Sequence, residues 1–192
     1  MKLSDIAEIR TGLVLSRKTA DLESDIVAEY KQLNLKCIKD NGEIDLDAVD
    51  IYKSNVKLGC NYLTQLDDII VRLTFPFTAV LITEETTGLV VPSHFCIIRV
   101  KSGKAVPAYI KWLLNSKFVK LQVEKNKTGI SFSGIKPSFY TELEIKPISM
   151  EEQLRIACIY NTAHQELLLL RKLIDQKEKL YNGVLTGIYQ QY

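Results

Sequence analysis

Two histidines, His94 and His164, and four cysteines, Cys37, Cys60, Cys96 and Cys158, are the whole supply of soft metal ligands in this 192-residue sequence, and no two cysteines stand in C-x-x-C spacing. A zinc site and a disulfide framework both lack their ligand pattern. Neither G-x-G nor G-x-x-x-x-G-K-[ST] occurs, so the dinucleotide and P-loop fingerprints are missing as well. The five prolines are never adjacent, which removes the N/D-P-P-Y/F element with which amino-methyltransferases hold a target base. Two Glu-x-Lys tripeptides, Glu29 to Lys31 and Glu144 to Lys146, are short enough to arise by chance, and the second has no aspartate between residues 68 and 175 to complete a nuclease site. Two scattered histidines do not suggest a Ser-His-Asp or Cys-His constellation. The sequence therefore reads as non-enzymatic, with no catalytic residue and no metal assigned.

Long apolar runs are absent too: no stretch of 18 apolar residues exists, and the first ten residues lack the hydrophobic segment of a signal peptide. A cytoplasmic location is expected. What is present is an ordinary globular composition, 46% hydrophobic and 25% charged, enough for one core and an extension. The net charge of +2 conceals an asymmetry. Residues 19–70 carry 11 acidic and 5 basic side chains, whereas residues 101–150 carry 9 lysines and 3 glutamates. The lysine-rich half is the candidate surface for a polyanion, although a solvated helix face would supply part of the same count.

Apolar runs rich in β-branched and aromatic residues predict strands at Ile69 to Thr74, Ala79 to Thr83, Leu89 to Val91 and Phe95 to Val100, separated by Phe75-Pro76, Thr87-Gly88 and Pro92-Ser93. A compact antiparallel sheet follows. Pro107 to about Gln122 has Ile110, Leu113, Leu114, Phe118 and Leu121 at helical spacing and predicts one amphipathic helix beginning with proline. After it, Glu124 to Ser138 packs lysines, hydroxyls and two glycines into one loop, a composition suited to phosphate oxygens. A second basic element, Ile9 to Lys18, carries Arg10, Arg17 and Lys18 around a glycine turn. Arg72 lies inside a hydrophobic strand, where burial without a partner is costly. It either points outward, pairs with Asp67, Asp68 or Glu84, or grips a guanine edge or a phosphate.

The last 45 or so residues are the most informative. Ser149 and Glu152 fit the S-x-x-E capping box, and from there a seam runs Ile156, Tyr160, Ala163, Leu167, Leu170, Ile174, Lys177, Tyr181, Val184 and Ile188 in alternating steps of four and three. A helix from Met150 to about Gly187 is roughly 57 Å long at about 1.5 Å per residue, too long to lie wholly within one small domain. It is expected to project and pair with another helix, fraying where Gly183 and Gly187 weaken its end. Lys177, Tyr160 and Tyr181 are awkward at seam positions and favour a specified partner. The division expected is residues 1–148 for a β-rich α+β domain with helices and residues 149–192 for the long coiled-coil helix.

Taken in order, L-S-D-I-A-E-I-R-T-G at Leu3 to Gly12, L-D-D-I-I-V-R at Leu66 to Arg72, L-V-V-P-S-H-F-C-I-I-R-V at Leu89 to Val100, P-A-Y-I-K-W-L-L-N-S at Pro107 to Ser116, K-T-G-I-S-F-S-G-I-K at Lys127 to Lys136 and P-I-S-M-E-E-Q-L-R-I-A at Pro147 to Ala157 resemble a specificity subunit of type I restriction-modification systems. The likeness covers essentially the whole chain, and E-E-Q-L-R-I-A is its best marker. Members commonly carry I-P-L-P-P before this marker, whereas here the run is I-K-P-I-S-M, with Ser149 in place of a proline.

The resemblance implies one target recognition domain and one helix of the two that full-length members carry in tandem, hence a half-size form that pairs antiparallel with a second copy through Tyr160, Ala163, Leu167, Leu170, Ile174, Lys177, Tyr181 and Val184. Each domain would read half of a bipartite target in double-stranded DNA, with the helix pair spacing the halves by about one helical turn, near 34 Å. Methyl transfer from S-adenosylmethionine would belong to a partner methyltransferase subunit, and cleavage to a restriction or motor subunit where one is present. No cofactor is expected on this chain. Position by position, Lys127, Thr128, Gly129 and Ser131, flanked by Lys125 and Lys136, are the expected phosphate contacts, and Arg10, Arg17, Lys18 and Arg72 the candidates for the groove. The rival expectation is a coiled-coil adaptor that binds a protein through the acidic 19–70 region. An enzyme would need a pocket gathering carboxylates with His94.

Overall fold

The computed structural model describes residues 1–126 and 134–191. Among the described residues six strands follow in chain order, β1 Ala7–Thr11, β2 Ala28–Gln32, β3 Asp50–Ser54, β4 Ile69–Arg72, β5 Ala79–Leu81 and β6 Phe95–Val100. Among the described residues five α-helices accompany them, α1 Leu3–Ile6, α2 Pro107–Asn115, α3 Lys117–Lys125, α4 Pro137–Glu142 and α5 Met150–Tyr189. Mixed helix and antiparallel sheet with one long C-terminal helix is the class read from the sequence.

The main sheet has the order β1-β6-β4-β5, with every pair antiparallel, and β2-β3 forms a separate two-stranded ribbon. In β4 and β6, Ile69, Ile70, Val71, Phe95, Cys96, Ile97 and Ile98 are all fully buried, so these strands are covered on both faces and show no polar alternation. Ile69, Val71, Ala79, Cys96 and Ile98 join residues of α2, α3 and α4 in the larger core. Ile70, Val80, Phe95 and Ile97 face a second cluster built with Leu33, Ile38, Ile82 and Leu89. The open edge at β5 is closed by one side chain: Asn115 Oδ1 accepts from the Ala79 amide at 3.0 Å and Nδ2 donates to the Ala79 carbonyl at 2.8 Å. Pairing an exposed strand edge in this way removes a template for aggregation.

Two local expectations are corrected. The single helix expected over 107–122 is two helices, because Ser116 is extended (φ −66°, ψ 150°) and its hydroxyl caps α3 by accepting from the Val119 amide at 3.3 Å. The break shifts the helical phase, so Val119 and Val123 are buried while Phe118 and Leu121, expected on the apolar face, are exposed. Leu89 to Val91 is not a strand; Val90 makes only isolated bridges to Gln32 and Leu63. The segment before α5 forms a single bridge, Lys2 to Glu144, tied by the Leu3 amide to the Leu143 carbonyl at 2.9 Å and the Ile145 amide to the Met1 carbonyl at 2.9 Å.

At the start of α5, Ser149 Oγ accepts from the Glu152 amide at 3.2 Å. Only this half of the expected capping box forms; the Glu152 carboxylate lies 3.9 Å from Arg155 instead. Exposed Glu151 and Glu152 in the first turn favour the positive end of the helix dipole. The glutamine of E-E-Q has a structural task. Gln153 is buried, its Oε1 accepting from the Val106 amide at 2.9 Å and its Nε2 donating to the Ile148 carbonyl at 3.2 Å, which joins the start of α5 to the start of α2. Ile156, Ala157, Tyr160, His164 and Leu168 continue the face on the domain side, and from Leu169 to Gln191 every residue is exposed. About 30 Å of helix thus stands clear of the domain at 1.5 Å per residue. The helix runs through Gly183 and Gly187 to Tyr189, past the expected end.

Candidate nucleic-acid interface

Arg72 closes β4 at the end of the sheet where Leu73 to Thr78 turn into β5. Its amide donates to the Thr78 carbonyl at 3.0 Å and its Nη2 to the Phe75 carbonyl at 3.2 Å. Neither Asp67, Asp68 nor Glu84 forms an ion pair with it; Asp68 is taken by Arg99, whose Nε and Nη2 donate to its carboxylate oxygens at 2.6 Å each. Arg72 pairs in register with Phe95, and the Leu73 amide donates to the His94 carbonyl at 3.0 Å, so His94 stands beside this turn.

The polar atoms gathered here lack partners. Arg72 Nε, Thr74 Oγ1, Thr78 Oγ1 and His94 Nε2 are buried and make no hydrogen bond. A buried donor or acceptor left unpaired costs about 1–3 kcal/mol, and native structures hold few of them; these four belong to the β4-β5 turn and to the residue beside it. Burial, with the neighbouring Arg72 charge as a second cause, holds the His94 pKa below its usual value. The ring is neutral near pH 7, and its outer nitrogen can donate or accept according to tautomer. Arg72 adds a cation with forked donors, and the threonine hydroxyls serve either role.

Two close backbone approaches carry further elements to this end. A Cβ on Gly134 would lie 2.1 Å from the Leu73 carbonyl oxygen, and the Ile135 amide donates to that oxygen at 2.7 Å. The chain leaving 127–133 is thereby pressed onto the turn, and exposed Lys136 follows at the start of α4. A Cβ on Gly12 would lie 2.2 Å from the Pro92 carbonyl oxygen, which lets the end of β1 abut the segment that carries His94. Arg10 pairs in register with Ile97 and so shares the sheet face of Arg72 and Phe95; its Nη2 reaches Glu8 at 3.4 Å and its Nε is buried without a partner.

The other expected contacts separate. Arg17 is exposed in a one-turn helix, and Lys18 lies with Nζ 5.1 Å from the Tyr62 ring centroid while its carbonyl accepts from Ser54 Oγ at 3.0 Å, which places both beside the β2-β3 ribbon. Lys125 is exposed in the last turn of α3. Lys127, Thr128, Gly129 and Ser131 lie outside the described residues. Thr74 and Thr78 were not singled out by sequence reasoning, and His94 was named only as the residue that an enzyme's pocket would need; tertiary pairing places all three at or beside one turn, although T-F-P-F-T and P-S-H-F mark the two turns in the sequence.

Along α5, Ala163, Leu167, Leu170, Ile174, Lys177, Tyr181 and Val184 are exposed. Tyr160 is instead half-buried against its own domain, stacked on His164 at 5.9 Å with Lys111 Nζ 5.7 Å from its centroid. Among the described residues, no group of three or more His, Cys, Asp or Glu is placed to hold a metal ion, and no helix is long and apolar enough to cross a membrane. The Cys96 thiol is pushed up to about 12 by burial, too high for a thiolate nucleophile.

No protein-family model and no curated protein matches the sequence. Among solved structures, the HsdS subunit from Thermoanaerobacter tengcongensis is similar, with a TM-score of 0.69 and 18% identity over 93% of this chain and 45% of that one. A chain from a structure concerned with complex assembly and conformational transition of the type I R-M system gives a TM-score of 0.71 at 18% identity, with the same 93% and 45% coverage. This chain spans less than half the length of either. At that identity the likeness is one of fold: domain and long helix together have the architecture of one part of an HsdS-type chain.

Proposed function

We propose that this chain is a sequence-specific DNA-recognition unit of a type I restriction-modification assembly, pairing through α5 with a second copy so that two domains read the halves of a bipartite target. The observation that carries this reading is a fold shared with HsdS over 93% of the chain, joined to a helix whose outer part leaves its own domain with an apolar stripe uncovered. The sheet end at Arg72 faces a groove, with Arg72, His94, Thr74 and Thr78 toward base edges. The Lys127 to Ser131 segment, flanked by Lys125 and Lys136, holds phosphates. Position is set by the phosphate contacts and sequence by the base edges. Methyl transfer and cleavage belong to the methyltransferase and restriction subunits; this chain supplies the address.

Duplex binding as a function of salt tests the proposal. In complex with its methyltransferase subunit, the chain binds duplex DNA with an affinity that falls steeply as salt rises. Lys127→Ala weakens all sequences alike and reduces the log–log slope by about one, the value of one lost phosphate contact. Arg72→Ala leaves the slope nearly unchanged and lowers discrimination for the target by about 1–3 kcal/mol, the worth of a forked base contact. Salt-insensitive or absent binding by the intact chain speaks for the protein-binding adaptor.

A further inference from the structure

Residues 169–191 of the chain project clear of the domain, and residues 150–168, on which the domain packs, span a similar length, roughly 28 Å at 1.5 Å per residue. The seam positions from Ile156 to Ile188 are spaced symmetrically about Lys172. One antiparallel register of two copies therefore pairs every one of them, with Ala163 opposite Tyr181, Leu167 opposite Lys177 and Leu170 opposite Ile174. It sets the smallest seam side chain against one of the largest, as interdigitating layers require. In this register the projecting half of each helix runs along the half of the other that carries the domain.

A cleft of about 210 Å³ opens beside that path. Leu167 of the seam lines it with His164 and Arg171 from α5, Lys120 from α3 and Asp40 from the domain. Among the described residues, neither Lys120 nor Arg171 has an ion pair, and neither does Glu178 on the projecting half. The cleft is electropositive. Burial, together with the Lys111 and Arg171 charges and against the opposing pull of Glu43, holds the His164 pKa below its ordinary value. With Tyr160, Leu167 and Ile174 at a positions and Ala163, Leu170 and Lys177 at d, residues His164, Arg171 and Glu178 fall at e. Residues at e flank a seam and choose partners through ion pairs. Antiparallel helices bring their e flanks to the same side, so the second copy's Glu178 stands level with the stretch between His164 and Leu167, on the side of the cleft. A carboxylate from another protein would meet the same cations, but only a second copy brings one at a height fixed by the seam.

We infer that this cleft seats Glu178 of the second copy, its carboxylate between Lys120 and Arg171, so that each domain grips the helix of the other copy as well as its own. This rests on the self-pairing proposed above and deepens it. A bare helix pair would leave the domain held by α5 alone, whereas a contact from Lys120 fixes the domain against both helices of the spacer.

The test is a charge swap between copies of the full chain, read by sedimentation equilibrium. Lys120→Glu sets two carboxylates face to face in its own pair, and Glu178→Lys sets cations together in its own. Each variant alone is expected to dissociate about ten- to a hundredfold more readily than the unaltered protein. An equimolar mixture of the two restores opposite charges at both ends of the mixed pair, and its dissociation constant returns to within about threefold of the unaltered value. Neither side chain is in the core, and circular dichroism with the thermal midpoint confirms that both variants fold. Raising the salt narrows the gap between variants and unaltered protein, because screening weakens attraction and repulsion alike. If the variants pair as tightly as the unaltered chain, or if the mixture pairs no better than its components, the Glu178 seat is refuted while self-pairing stands. If the unaltered chain is monomeric at high concentration, self-pairing fails and takes the seat with it.

Discussion

Glutamate at Leu167, Leu170 and Ile174 together is expected to convert the pair proposed above into a monomer at micromolar concentration. These three side chains are 53%, 47% and 58% exposed on a helix that its own domain no longer covers. Two copies side by side would bury six of them, and at about 1–1.5 kcal/mol for each partly exposed aliphatic chain this stripe contributes roughly 6–9 kcal/mol to association. Six carboxylates in its place add repulsion, so the dissociation constant rises by well over a thousandfold, each factor of ten corresponding to about 1.4 kcal/mol. Helix content is retained, because glutamate is a good helix former and α5 is anchored through Gln153 and Ala157, which are untouched. Sedimentation equilibrium with circular dichroism measures both. A triple variant as dimeric as its parent, or a parent already monomeric at high concentration, removes α5 as the pairing surface.

Removing the Arg99 side chain costs the domain about 3–5 kcal/mol, the range found when one partner of a buried ion pair is deleted. Asp68 is fully buried, and beyond the two bonds from Arg99 its carboxylate accepts, among the described residues, only from the Gln65 amide at 2.9 Å. Arg99→Ala leaves that charge inside the protein without its counter-ion. The consequence reaches the interface, because Asp68 immediately precedes β4, the strand that ends in Arg72. Against a usual stability of about 5–15 kcal/mol for a whole domain this is a large fraction. Urea unfolding of Arg99→Ala shows a midpoint lowered accordingly, and Asp68→Asn with Arg99→Met recovers a substantial part, since neither charge is then left unpaired. A loss below about 1 kcal/mol for Arg99→Ala would mean that water reaches Asp68 and that the pair behaves as a surface bridge.

The same pair shows where sequence reading works and where it fails. Asp68 and Arg99 both lie in segments that carry the family resemblance, yet strand patterns alone offered Asp68 to Arg72. The partner was settled by register, Ile69 opposite Ile98 and Arg72 opposite Phe95, which is a property of two strands and of neither alone. Signals confined to one element fared better. The start of α5 was legible because Ser149 caps locally, and its length because the seam repeats over many turns. The break at Ser116 was hidden because the apolar spacing of Ile110, Leu113 and Leu114 continues smoothly into Phe118 and Leu121; the extended Ser116 backbone turned those two outward. Thr74 and Thr78 read as ordinary turn residues and His94 only as the residue that an enzyme would need, since a missing hydrogen bond is visible only once the surroundings are folded.

Whether this chain addresses a methyltransferase to DNA is decided by a genome-wide methylation map. A bacterial host free of DNA methylation expresses the chain with its native methyltransferase subunit, beside a control that expresses the methyltransferase alone. Paired copies reading two half-sites predict a chain-dependent bipartite motif whose halves are related by two-fold symmetry. No new motif, with the methyltransferase shown to be folded and bound to the chain, would contradict DNA recognition itself.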